Sequence, residues 1–381
     1  MNRKQFGILV IALVALAAAG AWIVRSQGEA WKPADARIGQ KLLAGLKLED
    51  VAEIGFRDTQ GALTLARLDG AWVARERADF SADPDRVREL LLALADLKIV
   101  QAEPIAEAQR TRLELADPGA AAGAGTLLEL KDGAGKPIAR LLLGKKVTAR
   151  TAAAGPSPEQ GVPTGRYVMQ GTETGSVVLV SDPLATAEAK PEAWLAKDLI
   201  RAEGVRSITA TGPDGKERFS LSRNSDGYDW KLGGGGNPDL QKAQDAVGAL
   251  QGMNLVDVVA DPASAAAGLE RPMVIKARTL DGTAYTLRVG SKTADNRYFI
   301  SISVGGELAV ARTAGKGETV EEKEKQDKAY AENRARLEEK LVREKKFERW
   351  TYLVARTAVE PLLRERAQLL VEKKPKDGKK P

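Results

Sequence analysis

The sequence predicts an α+β protein: an N-terminal transmembrane helix, two duplicated antiparallel-sheet-plus-helix units and a C-terminal helical segment. Three observations lead there. FGILVIALVALAAAGAWIV, from Phe6 to Val24, carries no charge. Behind it, short alternating apolar runs are broken by Asp-Gly and Pro-Asp-Gly turns, the pattern of strands in meanders and hairpins. The same succession of strands and one helix then comes twice, with matched residues in the same order.

At 1.5 Å per residue the apolar stretch spans roughly 28 Å, close to the hydrocarbon thickness of a bilayer. Arg3 and Lys4 precede it, so the positive-inside rule keeps the N-terminus cytoplasmic and sends the remainder across. Two readings stay open, a retained signal anchor and a signal peptide cut after Ala17-Ala18-Ala19. The anchor is favoured, because the run exceeds a usual signal-peptide core and Trp22 suits the membrane interface.

After a polar linker, Val51, Ile54 and Phe56, then Leu63 and Leu65, then Trp72 and Val73 mark a three-stranded meander broken at DTQG and LDG. A helix follows: Ser81 or Asp83 caps it, Pro84 sits in its first turn, and Val87, Leu90, Leu91, Leu94 and Leu97 recur at helical spacing. Two hairpins come next, one turning at Asp132-Gly133 and one in GRYVMQGTETGSVVLVSD, separated by an Ala, Gly and Pro-rich flexible loop around residues 148–165. From Gly204 the order repeats: strand, Pro-Asp-Gly turn, strand, a Trp-bearing strand, a helix after Asn237-Pro238 and two hairpins. Trp72 matches Trp230, Val100 matches Val256, Gly144 matches Gly290, and Arg166-Tyr167-Val168 matches Arg297-Tyr298-Phe299 with both arginines at solvent. Beyond the repeats, residues 317–349 read as a long solvated helix, WTYLVA as a strand, and TAVEPLLRERAQLL as an amphipathic helix opened by a Thr357–Glu360 capping box. The expected organisation is a cytoplasmic N-terminus (1–5), a signal anchor (6–24), a linker (25–45), two repeat units (46–198 and 199–315), the C-terminal helices and strand (316–371) and a disordered basic tail (372–381).

Composition narrows the chemistry. With no cysteine and no histidine, the chain has no disulfide, thiolate nucleophile, Cys/His zinc site or imidazole base. The net charge of +6 is uneven: residues from Lys316 onward hold 19 Lys and Arg against 14 Asp and Glu, so the preceding body is nearly neutral. That argues against nucleic acid as a partner, which would call for a basic stripe on the folded surface. KDGAGKP and VGSKT do not complete a phosphate loop, and Gly233–Gly236 reads as a flexible connection, so no small-molecule cofactor is expected. No serine-nucleophile motif occurs, and a pair of carboxylates meeting in space is the one hydrolase reading left. Trp72 and Trp230 read most simply as core aromatics whose indole N–H finds a carbonyl; the alternative is an exposed platform, which makes them the candidate ligand-binding residues.

The stretches KLLAGLKLEDVAEIGF, LARLDGAWVARERADFSADPDRVRELLLALADLKIVQAE, LLLGKK, GRYV, VVLVSDPL and AWLAKDLI resemble the bacterial domain-of-unknown-function 4340 family, best over Leu42 to Leu199. The closing FERWTYLVA is similar to the ends of some members. The resemblance implies an extracytoplasmic accessory subunit, scaffold or binding, working at the inner membrane with an ABC permease and ATPase of the gliding-motility auxiliary type. It carries over no catalytic residue, so no enzyme is expected. The alternative is a periplasmic module that binds envelope glycan or lipid without a transporter partner.

Overall fold

The structure, a computed structural model, describes residues 36–103, 105–120, 122–149, 162–171, 176–224, 227–259, 267–306 and 318–371. Turn chemistry sets the first strands. β1 (Glu53–Arg57), β2 (Ala62–Leu68) and β3 (Ala71–Ala74) are joined at Asp58, whose carboxylate accepts from the N–H of Gln60 and Gly61, and at Asp69-Gly70. Both residues of that second turn are left-handed, with φ of 49° and 82°, which matches the twist of the flanking strands. After β4 (Phe80–Ser81), Asp83 caps helix α1 (Pro84–Asp96) by accepting from the N–H of Asp85 and Arg86. Val87, Leu90 and Leu94 form its buried face. β5 (Ile99–Glu103), β6 (Thr126–Lys131), β7 (Pro137–Ala149), β8 (Val162–Gln170) and β9 (Val177–Val180) complete a nine-stranded sheet of order β4-β3-β2-β1-β6-β7-β8-β9-β5.

The second sheet holds eight strands: β10 (Val205–Thr211), β11 (Glu217–Ser222), β12 (Lys231–Leu232), β13 (Leu255–Val259), β14 (Met273–Thr279), β15 (Thr283–Lys292), β16 (Arg297–Gly306) and β17 (Thr351–Ala355). Its order is β12-β11-β10-β14-β15-β16-β17-β13. Helix α2 (Leu240–Gln251), capped by the Asp239 carboxylate, comes between β12 and β13. Helix α3 (Val320–Lys345) comes between β16 and β17 and starts at a capping box of Thr319 and Glu322.

The α+β class with an N-terminal transmembrane helix is therefore corrected. The described chain is mostly two large antiparallel sheets, because short Asp-Gly turns return each strand beside the last, and helices are few. Phe6–Val24 lies outside the described residues, as do the residues 150–161 of the expected loop and the tail 372–381. Among the described residues no helix is long and apolar enough to cross a membrane. The flanks of the expected loop are strand, since β7 runs on to Ala149 and β8 begins at Val162.

The two sheets share one strand order once β4 is set aside: β1, β2, β3, β5, β6, β7, β8 and β9 correspond to β10, β11, β12, β13, β14, β15, β16 and β17. The strand read from WTYLVA is thus the counterpart of β9, separated from β16 by the charged helix. Gly144 and Gly290 are equivalent for a steric reason. A Cβ on Gly144 would stand 2.4 Å from the carbonyl oxygen of Leu113, and one on Gly290 would stand 2.0 Å from that of Ala267. Each sheet is crossed there by an irregular segment that only glycine admits. The match of Arg166 with Arg297 fails by one residue. Lys146 faces Arg166 and Arg166 faces Val180, whereas Lys292 faces Tyr298 and Tyr298 faces Val354, so Arg166 corresponds to Tyr298. A slip of one residue exchanges the faces of a strand. Accordingly Arg166 is buried, while Arg297 is half-buried and pairs with Asp295 at 2.8 Å.

By contacts the chain forms two compact units, Met1–Ala62 with Arg88–Ala189, and Leu63–Val87 with Lys190–Pro381. Within the second, Arg77 donates through Nε and Nη2 to both oxygens of Asp257, at 2.7 and 2.9 Å. Trp350 Nε1 donates to the carbonyl of Ala78 at 2.9 Å, and Phe80 packs edge-on to Trp350 with centroids 5.1 Å apart. The C-terminal end of α3 is fixed by Tyr285, whose hydroxyl donates to the buried Glu344 at 2.7 Å; burial and that carboxylate hold the phenol well above its usual range. Two further expectations change. TAVEPLLRERAQLL forms a short turn of helix (Arg356–Val359) and two 3₁₀ turns (Glu360–Leu362 and Arg366–Leu369), because Pro361 has no N–H to donate and its ring crowds the carbonyl of Thr357. Gly233–Gly236 is a held turn rather than a flexible connection: Arg366 donates to the carbonyls of Gly233 and Gly235 at 2.8 and 2.6 Å.

Two outcomes follow for stability. Gly144→Ala and Gly290→Ala should each lower it by about 1–3 kcal/mol through forced displacement of the crossing segment, whereas Gly248→Ala, in α2 with open space around its Cα, should raise it by about 1 kcal/mol; urea titrations followed by circular dichroism read both signs. Asp281 supplies the second. Burial pushes its carboxyl up, but hydrogen bonds from Thr279 and Thr283 and the Lys340 ammonium at 3.3 Å outweigh that and hold it below 3.8. A depressed carboxyl stabilises fully above its unfolded value and loses that contribution as the pH falls through the folded one. The stability gap between the wild type and Asp281→Asn should therefore be fully open at about pH 6 and narrow progressively as the pH falls below 3.8.

Candidate functional site

On the first unit a groove of about 570 Å³ lies on the face of β7, β8, β9 and β5. Register puts Tyr167, Leu179 and Gln101 in one row across β8, β9 and β5, and these form its floor. The segment from Ile105 to Leu113, with the short helix Glu107–Arg110, forms one wall, and Lys145–Thr148 of β7 form the other. Beneath the floor sits a buried cluster of Leu115, Leu127, Leu142, Met169 and Val177, against which Ile105, Leu113 and Tyr167 pack while remaining partly exposed. The groove is therefore an opening onto the core. Its cations are Arg112, Lys145 and Lys146, and among the described residues no carboxylate lines it. Lys146 stands 4.0 Å from Glu188; among the described residues Arg112 and Lys145 make no ion pair.

Arg166, beside this floor on β8, has the opposite character. Its guanidinium donates to the carbonyls of Gly144 at 2.7 Å, Leu184 at 3.3 Å and Leu143 at 3.5 Å. Burial pushes its pKa down to about 10, partly countered by Glu114 and Glu188, so it remains a cation at neutral pH. It holds the bulge of β7 between Leu143 and Lys146 and thereby positions the lysine wall. The equivalent row of the second sheet carries different chemistry. There the equivalent row is Phe299, Leu353 and Asp257, and Asp257 is taken by Arg77 of the same unit.

A second depression, of about 660 Å³, lies on the second unit and is lined by Arg206, Arg223 and Arg278 with Ser207, Ser222 and Asn224 among its polar groups. Arg223 is already committed: Nε donates to the carbonyl of Val205 and Nη1 to that of Gly227, both at 2.7 Å, and its guanidinium covers the Trp230 ring at 4.7 Å. Trp230 is 4% exposed and its indole nitrogen finds no acceptor among the described residues, in contrast to the expected carbonyl. Trp72 is half-buried on β3 opposite Arg67. Both tryptophans belong to the second unit, and neither lines the groove or the arginine depression. Among the described residues no cluster of acidic side chains could hold a metal ion. Sequence reasoning had no signal for the groove beyond Gly144 and the Lys145-Lys146 pair that follows it.

Two antiparallel sheets of one repeated strand order, with an open groove of cations and apolar side chains on the first unit, define a mostly antiparallel β-sheet protein. The chain belongs to the family of a domain of unknown function, DUF4340, whose model matches residues 72–272, more than half of its length. No curated protein matches it, and no solved structure does.

Arg166→Leu should leave the Gly144 and Leu184 carbonyls buried without a donor and lower stability by about 2–4 kcal/mol. Arg297→Leu, at an exposed ion pair, should change it by less than about 1 kcal/mol. Thermal and urea unfolding of the two variants side by side tests the one-residue offset between the repeats.

Proposed function

We propose that this chain is a membrane-anchored extracytoplasmic accessory subunit, acting as scaffold or binding component of an ABC-type transport or envelope system of the gliding-motility auxiliary type. The observation that carries the reading is the groove: a surface of half-exposed apolar side chains with a cationic rim suits recognition, and among the described residues its lining supplies no carboxylate for acid–base work. Arg3 and Lys4 ahead of the apolar stretch Phe6–Val24 support tethering to the inner membrane with the sheets outside the cytoplasm. The absence of a complete phosphate-loop motif in the sequence fits a subunit that leaves nucleotide hydrolysis to a partner. The groove also favours a second reading, a periplasmic module that binds envelope lipid or glycan without a transporter.

Crosslinking in intact cells, followed by pull-down of the full-length protein and mass spectrometry, separates these. Co-recovery of a permease and its ATPase is the expected result. Recovery of neither, under conditions that retain other inner-membrane complexes, would rule out the transporter partnership and leave the binding module.

A further inference from the structure

We infer that the groove of the first unit binds a lipid with an anionic headgroup, its acyl chain on the Tyr167–Leu179 floor and its phosphate against Lys145, Lys146 and Arg112. This rests on the binding role given to the groove above and does not need a transporter partner.

Three features point the same way. The floor is apolar and continuous with the core: Leu179, Tyr167, Leu113 and Ile105 stay partly exposed over the buried cluster of Leu115, Leu142 and Met169. Side chains so placed lower the free energy by burying against another apolar group, and a flexible alkyl chain follows an open trough. The rim is cationic on both walls, Arg112 on one and the two lysines on the other, so a headgroup held between them meets positive charge from two sides. Arg112 and Lys145 make no ion pair among the described residues, whereas the counterpart row in the second sheet is closed by the bidentate pair of Arg77 and Asp257. Gln101 stands where that sheet has Asp257, so the first sheet offers no anion at the equivalent position to draw in a basic side chain. With a carboxylate there, the face would repel a phosphate; with glutamine it accepts one. The volume, about 570 Å³, holds a headgroup and part of one chain rather than a whole diacyl lipid. The lipid would thus be bound at its head and first methylenes, with the remainder projecting.

The test uses the full-length protein in amphipol and a lysophosphatidic acid carrying a photoreactive group in its acyl chain. Adducts are expected on peptides containing Ile105–Leu113, Lys145–Thr148 and Val177–Leu179. Labelling there should fall by roughly tenfold in the Lys145→Glu, Lys146→Glu double variant, a change of about 1.4 kcal/mol. Gln109→Trp, at an exposed wall position, should block labelling as well; it gives up only the bond from the Ala106 N–H to Gln109 Oε1, so a retained cooperative melt guards against loss of fold as the cause. Equal labelling by a neutral monoacylglycerol probe would overturn the anionic specificity. Displacement by millimolar inorganic phosphate without added lipid would mean that a free anion is the ligand. Displacement by a soluble peptidoglycan fragment would overturn the lipid and keep the groove as a binding site. Adducts confined to Phe6–Val24 would remove the groove from consideration altogether.

Discussion

The second compact unit depends on a two-pronged bond between residues 180 positions apart, Arg77 and Asp257. Arg77 lies at the end of the turn between β3 and β4, and the next two residues, Ala78 and Asp79, are both left-handed, with φ of 52° and 57°. For side-chain-bearing residues that conformation costs about 1–2 kcal/mol each. The surroundings supply the offset: the carboxylate of Asp257 fixes the guanidinium and raises its pKa, the Trp350 indole satisfies the Ala78 carbonyl, and Phe80 is buried against Trp350 and Tyr352. A pair this far from full exposure, with side chains 20% and 15% accessible, is held in one geometry by its fork shape. It binds residues 63–87 into a unit whose other residues begin at Lys190.

Repetition with divergence gives the two sheets one backbone plan and different chemistry at equivalent rows. Ladder registers, the glycine at the crossing and the register shift at the start of the edge strand, at Ile99/Gln101 in β5 and Leu255/Asp257 in β13, are common to both. Chemistry at equivalent positions has moved apart. Arg166 is a buried cation feeding three carbonyls where the second sheet has Tyr298, and Gln101 is a neutral side chain where the second has Asp257. The shared backbone geometry keeps both faces available; the side chains decide which is occupied from within the chain.

Much of the fold was legible because its determinants are local. Asp-Gly turns, the cap at Asp83 and the helical spacing of Val87, Leu90 and Leu94 each act over a few residues, and each produced the element they signal. Order beyond that range was harder to read. The match of Arg166 to Arg297 looked right as a string and was wrong by one position, since ladder register rather than residue likeness decides which face a strand residue takes. The four glycines suggested looseness because their partner, Arg366, lies more than a hundred positions away. The groove draws on β5, β7, β8, β9 and the Ile105–Leu113 segment, none of which carries a motif, so only the assembled sheet shows it.

The late position of β17 has a consequence in time. β13 is an edge strand whose neighbour in the sheet is β17, yet Thr351 comes ninety-two positions after Val259. At ordinary rates of synthesis that interval is roughly 5–20 s, during which Leu255, Val256 and Val258 have no strand to pair with. Because an unpaired apolar strand is a template for the nearest edge it meets, this order leaves β13 open to mispairing until β17 emerges. The charged helix α3 supplies 26 of the intervening residues, and its side chains keep that part of the waiting chain hydrated.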